Sequence, residues 1–162
     1  MSRVYLAGPD VFAPDHRRIF RERTEICRSL GLSPLVPADD DTTEPAAIYA
    51  ANLAMLGGCD AVIADVTPFR GPHCDPGTAW EIGYAAARGT PVFAFSASPE
   101  PLAARVAAGD ASARTDRSGM LIEPFGLAEN LMIVQALSDR TVHRTFRDAA
   151  RAAPRALGAA GG

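Results

Sequence analysis

The chain has 162 residues, of which 48% are hydrophobic and 22% are charged, a composition typical of a soluble globular protein with one domain. Sixteen Lys and Arg residues against nineteen Asp and Glu residues give a net charge of -3, which argues against nucleic acid as a partner. No apolar run reaches the roughly 18 residues that span a bilayer and no signal pattern opens the chain, so we expect a cytoplasmic protein without a membrane partner.

The first half of the chain alternates short apolar runs with segments of helical periodicity. These patterns predict a strand at 4–7, a helix over 14–30, a strand at 32–36, a helix over 45–56 and a strand at 61–64 that runs into Asp65. Gly8 and Pro9 close the first strand, and Gly31 ends the first helix. We expect the five arginines of that helix to form a solvated face.

The second half of the chain begins with the same alternation and then becomes less regular. The patterns predict a helix over 78–88, a strand at 91–95, a short helix over 101–108, a mobile loop over 109–119, a fifth strand at 120–122 and helices over 128–137 and 142–155. We expect a single domain over 1–157, followed by a short disordered tail over 158–162.

Alternating helices and nearly continuous apolar strands are typical of a doubly wound α/β domain, with a parallel sheet and helices on both faces. Ligands of such domains bind beyond the carboxyl ends of the strands, which here means residues 8–12 and 65–81. The chain has neither a G-x-G-x-x-G fingerprint nor a P-loop, so we expect no dinucleotide or other cofactor.

The cysteines and histidines do not form a recognisable metal site. Cys27, Cys59 and Cys74 are widely spaced without a C-x-x-C pair, and the three histidines are equally scattered. We therefore expect three free thiols and no bound metal.

Polar side chains are concentrated at the predicted strand ends: Tyr5, Asp10, Asp65, Asp75 and Glu81. Structural roles explain each of them. Thr78 and Glu81 have the spacing of a capping box, the aspartates fit turns, and Tyr5 fits a core. A catalytic interpretation is also open, because a Glu in a first helical turn is favoured in its ionised form and can act as a nucleophile. Retaining glycosidic cleavage needs such a carboxylate and an acid, which Asp75 or Asp65 can supply.

Four separated stretches carry distinctive motifs: YLAGPDVF at 5–12, ADVTPFRG at 64–71, DPGTAWEIGYA at 75–85 and FGLAENLM at 125–132. In this order, and over roughly residues 3–135, the chain resembles the nucleoside 2-deoxyribosyltransferases. The resemblance implies a flavodoxin-like fold with a five-stranded parallel sheet.

The resemblance also implies a reaction and a role for each matching residue. Glu81 would attack the anomeric carbon of a 2'-deoxynucleoside and carry a covalent 2-deoxyribosyl intermediate, which a second free nucleobase displaces with overall retention. Asp75 would hold the deoxyribose hydroxyls, and Asp65 would contact the nucleobase and assist its protonation and departure. Tyr5 would hydrogen-bond the nucleophile. The matching substrate-binding positions are Gly8, Pro9, Asp10, Phe12, Gly77, Asn130 and Met132.

Asn130 matches a residue that a neighbouring subunit contributes to the sugar site, with Met132 beside it. The resemblance thus implies a homo-oligomer, a dimer at least. From the pattern alone, Asn130 is instead a helix-start residue.

Two other functions are compatible with the same residues. A related N-glycoside hydrolase would use water as the acceptor and act on deoxynucleosides or their 5'-monophosphates. Asp10 and Asp15 follow the first strand, and their charge would repel a phosphate, which favours an unphosphorylated nucleoside. A non-catalytic nucleoside-binding module could share the scaffold, although the presence of Glu81 argues against it.

Overall fold

A computed structural model of the chain describes residues 1–37, 43–107 and 114–159. Its elements are, in chain order, β1 (Ser2–Ala7), a single 3-10 turn (Pro9–Phe12), α1 (His16–Ser29), β2 (Leu32–Leu35), α2 (Pro45–Gly58), β3 (Ala61–Asp65), α3 (Pro76–Ala87), β4 (Val92–Phe95), α4 (Leu102–Val106), α5 (Leu131–Ala136), β5 (Val142–His143) and α6 (Phe146–Ala159).

The five strands form one sheet in the order β2-β1-β3-β4-β5, and every neighbouring pair is parallel. All residues of β3 and β4 are buried, as the continuous apolar runs predict for a sheet covered on both faces. The expected flavodoxin-like α/β fold is confirmed.

Two separate cores lie on the two faces of the sheet. Since side chains alternate along a strand, Leu6 of β1 and Ile63 of β3 pack with α1 and α6 on one face. Tyr5 and Val62 pack with α2 and α3 on the other face. Asp65 lies two residues after Ile63, so its side chain belongs to the α1 and α6 face.

The predicted fifth strand at 120–122 is wrong. Leu121 instead pairs with Thr115 in an isolated antiparallel bridge outside the sheet, and its side chain is 85% exposed. The fifth strand is Val142–His143, which pairs with Ala94 and Phe95 of β4. A run of three apolar residues suggested a strand at 120–122, whereas the real strand is two residues long and half polar.

The last helix also differs from its prediction at both ends. It begins at Phe146, because Val142–His143 belongs to the sheet, and it continues through Gly158 to Ala159. Residues 160–162 of the expected tail, and 109–113 of the expected loop, lie outside the described residues.

All three cysteines are free in the structure. In the part of the chain that the structure describes, no helix is long and apolar enough to cross a membrane. The same residues contain no group of three or more His, Cys, Asp and Glu side chains placed to hold a metal ion.

Candidate active site

Glu81 and Tyr5 meet between α3 and the sheet. The Tyr5 hydroxyl donates a 2.7 Å hydrogen bond to Oε1 of Glu81, across 76 residues of sequence. Tyr5 is completely buried in β1, so its hydroxyl has a fixed position. The structure therefore brings these two predicted residues together.

The local environment brings the pKa of the Glu81 carboxyl close to neutral pH. The pKa of Glu81 is raised to about 7: burial is the largest cause, the hydrogen bond from Tyr5 opposes it, and the charge of Asp75 adds to it. Burial also raises the pKa of Tyr5 well above its usual range, with Glu81 adding to the effect, so Tyr5 remains a donor. Glu81 is the sixth residue of α3, not part of the first turn, and the expected stabilisation of its ionised form by the helix dipole is outweighed by burial.

Asp75, not Thr78, caps α3. Oδ2 of Asp75 accepts hydrogen bonds from the backbone nitrogen of Thr78 at 2.9 Å and from its hydroxyl at 3.3 Å. The capping-box interpretation of Thr78 and Glu81 is therefore wrong. A Cβ on Gly77 would lie 2.9 Å from the same Asp75 oxygen, so a larger residue would force the capping carboxylate to shift.

Asp65 points away from the Tyr5 and Glu81 face of the sheet. Its Oδ2 accepts from Nη2 of Arg23 at 2.9 Å, and its Oδ1 accepts from the backbone nitrogen of Thr67 at 3.0 Å. Both carboxylate oxygens thus already have partners within the protein. The structure does not bring Asp65 together with Glu81.

The prediction that the arginines of α1 form a solvated face is wrong for Arg23, because only 12% of its side chain is exposed. It lies three residues after Phe20 and four before Cys27, both of which are buried residues of α1. This helical spacing was the signal that could have identified Arg23 as an inward-facing residue.

Asp10 is also buried, at 8% exposure, and forms an ion pair with Arg23. Burial raises the pKa of Asp10 to about 6, Arg23 opposes that effect and Asp65 adds to it. Asp15 pairs with Arg18 on the surface of α1. Because both aspartates have cationic partners, the argument that their charge repels a phosphate is not supported.

The backbone after β1 passes directly beside the end of β3. A Cβ on Gly8 would lie only 2.9 Å from Cβ of Asp65, and Pro9 then begins the 3-10 turn. At the end of the turn, the ring of Phe12 is 57% exposed and stacks on Phe69 with 5.3 Å between centroids. No sequence pattern indicates Phe69 as the partner of this ring.

A cavity of about 330 Å³ opens beside Glu81 between α2 and α3. Its lining residues are Tyr49, Asn52, Leu53, Leu56, Gly77, Trp80 and Glu81. Tyr49 and Trp80 are half exposed, with ring centroids 5.8 Å apart. The α2 residues were missed because an uncharged helix shows no polar pattern. Flat apolar walls, one amide and one carboxylate suit a small ring-bearing ligand.

Asn130 is the N-cap of α5, and its Oδ1 accepts from the backbone nitrogen of Met132 at 2.9 Å. This confirms its interpretation as a helix-start residue. Met132 is 72% exposed. Neither residue is among those that line the cavity beside Glu81.

Glu129 is a further buried carboxylate that sequence reasoning missed. It accepts hydrogen bonds from the backbone nitrogens of Cys74 at 2.9 Å and Asn130 at 2.8 Å, and contacts Nδ1 of His73 at 2.9 Å. It thereby joins the segment before Asp75 to the start of α5. Its only sequence signal is its place within the FGLAENLM motif.

Comparisons with known proteins agree on one family. The family model described as nucleoside 2-deoxyribosyltransferase matches residues 4–132. An uncharacterised protein of Schizosaccharomyces pombe is 32% identical over 155 residues, which cover 80% of this chain and 74% of that protein.

Solved structures support the same relationship. A 2-desoxiribosyltransferase from Leishmania mexicana is 34% identical, with a TM-score of 0.78 over 92% of this chain and 94% of that chain. A 2-deoxyribosyltransferase from Bacillus psychrosaccharolyticus shares the fold, at 20% identity and a TM-score of 0.62 over 96% of each chain. The chain belongs to the nucleoside 2-deoxyribosyltransferase family.

Proposed function

We propose that this protein transfers the 2-deoxyribosyl group of a 2'-deoxynucleoside to another free nucleobase, through a covalent ester on Glu81 and with retention. The observation that carries the proposal is the 2.7 Å hydrogen bond from Tyr5 to Glu81, which orients a carboxylate at the edge of a ligand-sized cavity. The 34% identity to the Leishmania mexicana 2-desoxiribosyltransferase supports the same reaction.

In the first step, the ionised Glu81 attacks the anomeric carbon of the nucleoside. Tyr5 donates to Oε1, which leaves Oε2 for the new bond to carbon. As that bond forms, the carbon–nitrogen bond breaks and its electron pair goes to the nucleobase, which then takes a proton from water. Asn52 lines the cavity and offers an amide donor to the departing base.

In the second step, a nitrogen of the incoming base attacks the same carbon and displaces Glu81 as a carboxylate, and the incoming base loses its proton to water. Each displacement inverts the anomeric carbon, so the two together retain its configuration. Since the pKa of Glu81 is about 7, the ionised nucleophile is populated at neutral pH.

We assign Asp75 to the sugar hydroxyls. It lies at the N-terminus of α3, one turn and a half before Glu81, and Thr78 orients its carboxylate. Asp65 is held by Arg23 and Thr67 on the opposite face, so its role in this proposal is structural.

We also propose that the active form is a homo-oligomer. Helix α2 contains no charged residue, yet most of it is exposed in a single chain, including Ile48 and Tyr49. With Trp80 beside them, these side chains form an apolar surface that a second copy would cover. In this arrangement the second copy supplies Asn130 and Met132 to the sugar.

The test is to incubate the protein with a deoxynucleoside and a second free base and to separate the products by chromatography. Exchanged nucleoside supports the proposal. Free sugar without exchange indicates a hydrolase, and no turnover indicates a binding protein. Because Asp10 is neutralised by Arg23, the 5'-monophosphate of the donor is tested in parallel. Glu81→Gln is the inactive control, and Glu25→Gln on the surface of α1 is its matched active control.

A further inference from the structure

Arg23 lies at the centre of a charged cluster on the α1 face of the sheet. Its Nη1 donates to Asp10 and its Nη2 donates to Asp65 at 2.9 Å. The side chains of the two aspartates are each 9% exposed and that of Arg23 is 12% exposed. One buried cation therefore faces two buried carboxylates, which come from different elements of the fold.

Aromatic rings complete the environment of the guanidinium. Its central carbon lies 4.9 Å from the ring centroid of Phe95 at the end of β4 and 5.2 Å from that of Phe146 in α6. A planar guanidinium can stack on rings and donate to two carboxylates at once, whereas a lysine ammonium cannot reproduce this geometry. The site is therefore shaped for arginine.

The cluster connects two loops at the strand ends. Asp10 belongs to the Pro9–Phe12 turn, whereas Asp65 ends β3 and accepts from the backbone nitrogen of Thr67 in the following segment. The two loops meet again at their tips, where Phe12 stacks on Phe69. Arg23 thus holds together the bases of two loops that carry a stacked aromatic pair.

We propose that Arg23 is a positioning residue, which bridges Asp10 and Asp65 and so fixes the Pro9–Phe12 turn in the geometry that substrate binding requires. The inference rests on the proposed function, because the turn directly follows β1, whose Tyr5 orients Glu81, and ligands of such domains bind beyond the carboxyl ends of the strands. Arg23 contacts no reacting atom and acts through Asp10. The groups that face Asp10 are Arg23 from α1 and Asp65 from β3. Burial raises the pKa of Asp10 to about 6. Below this pH Asp10 is protonated, and its ion pair with Arg23 is lost.

The test compares Arg23→Lys with Arg21→Lys, which lies at an exposed position of the same helix. Arg23→Lys keeps the positive charge but loses the planar guanidinium that donates to two carboxylates at once. We expect Arg23→Lys to raise KM for the deoxynucleoside about tenfold and to change kcat less than about threefold, since binding geometry is lost and the nucleophile is intact. Hydrogen exchange followed by mass spectrometry should show faster exchange in the peptide containing residues 8–13 and unchanged exchange in α3. Arg21→Lys should match the wild type in all three measurements.

A second variant, Asp10→Ala, keeps the test decisive if Arg23→Lys does not fold. Asp10→Ala leaves Arg23 paired with Asp65, so the charges balance, and it should reproduce both the rise in KM and the local exchange. It should also remove the part of the acid limb of the kcat/KM profile that Asp10 contributes near pH 6.

Unchanged KM together with unchanged exchange in either folded variant overturns the inference, and so does faster exchange throughout the chain. If the wild type itself lacks transferase activity, the proposed function fails, while the exchange measurement still decides whether Arg23 holds the turn.

Discussion

The Tyr5 hydroxyl donates to Oε1 of Glu81 at 2.7 Å, and this one bond links the buried centre of the sheet to the second turn of α3. It occupies one oxygen of the carboxylate and leaves the other for chemistry. It also opposes the effect of burial on the pKa of Glu81. The first predictions concern this pair.

Glu81→Gln should reduce base exchange by at least about a thousandfold, because an amide cannot form the glycosyl ester. The fold should be unchanged by circular dichroism. Product chromatography measures the loss, with Glu25→Gln as the active control. A variant that keeps a tenth of wild-type exchange would contradict the assignment of the nucleophile.

Tyr5→Phe should move the acid limb of kcat/KM to higher pH. Only ionised Glu81 attacks, so activity falls as pH decreases through a pKa of about 7 in the wild type. Removing the hydroxyl removes the one interaction that lowers this pKa. Initial rates between pH 5 and about 9 locate the limb. A limb that stays in place shows that Tyr5 does not tune Glu81.

Glu81→Gln should also be more stable than the wild type at pH 8. The pKa of Glu81 is raised from 4.5 to about 7, so the folded protein binds an extra proton between these values. The free energy of unfolding therefore falls as pH rises across this window, by about 1–2 kcal/mol after allowance for partial solvation. Glutamine cannot ionise and avoids this loss. Urea unfolding of both proteins at pH 5 and 8 tests the difference, which should be larger at pH 8.

The product should keep the β configuration of the donor nucleoside. Two displacements at one carbon restore its configuration, and NMR coupling constants of the product report it. A 2-fluorinated donor slows formation and breakdown of the intermediate, so mass spectrometry should find the adduct on the peptide containing Glu81. An α-anomeric product excludes the double displacement.

Mixtures of inactive Glu81→Ala and inactive Asn130→Ser protein should partly regain activity once subunits exchange. Hybrid interfaces would combine an intact Glu81 with an intact Asn130 from the second copy. Serine keeps an N-cap oxygen for α5, so the variant isolates the loss of the amide. Recovery is measured against each variant alone. Full activity in a monomer, shown by light scattering, would disprove the shared site.

Much of the fold could be predicted from the sequence, because its central strands are apolar on both faces and end at clear turn residues. Ala61–Asp65 and Val92–Phe95 are the clearest examples, and both agree with the predictions within one residue. Val142–His143 could not be found in this way. It is too short to show a period, and its place in the sheet depends on pairing with β4.

The candidate site likewise contains residues whose positions could be predicted from the sequence and residues whose contacts could not. Tyr5 and Glu81 lie in regular elements, so motif and fold together place them side by side. The ion pairs of Asp10 and Asp65 depend on an arginine that lies 13 and 42 residues away from them, and arginine is normally an exposed residue. The carboxylates stand out in the sequence, whereas Arg23 is marked only by its helical spacing to the buried Phe20 and Cys27.

Glu129 makes two distant parts of the chain mechanically dependent on each other. Its carboxylate holds the backbone of Cys74, the neighbour of Asp75, and the backbone of Asn130. A displacement of either segment strains the same buried group. We therefore expect substitutions near Asp75 to shift the backbone at the start of α5. Whether a substitution in one segment is tolerated should depend on which residues occupy the other segment.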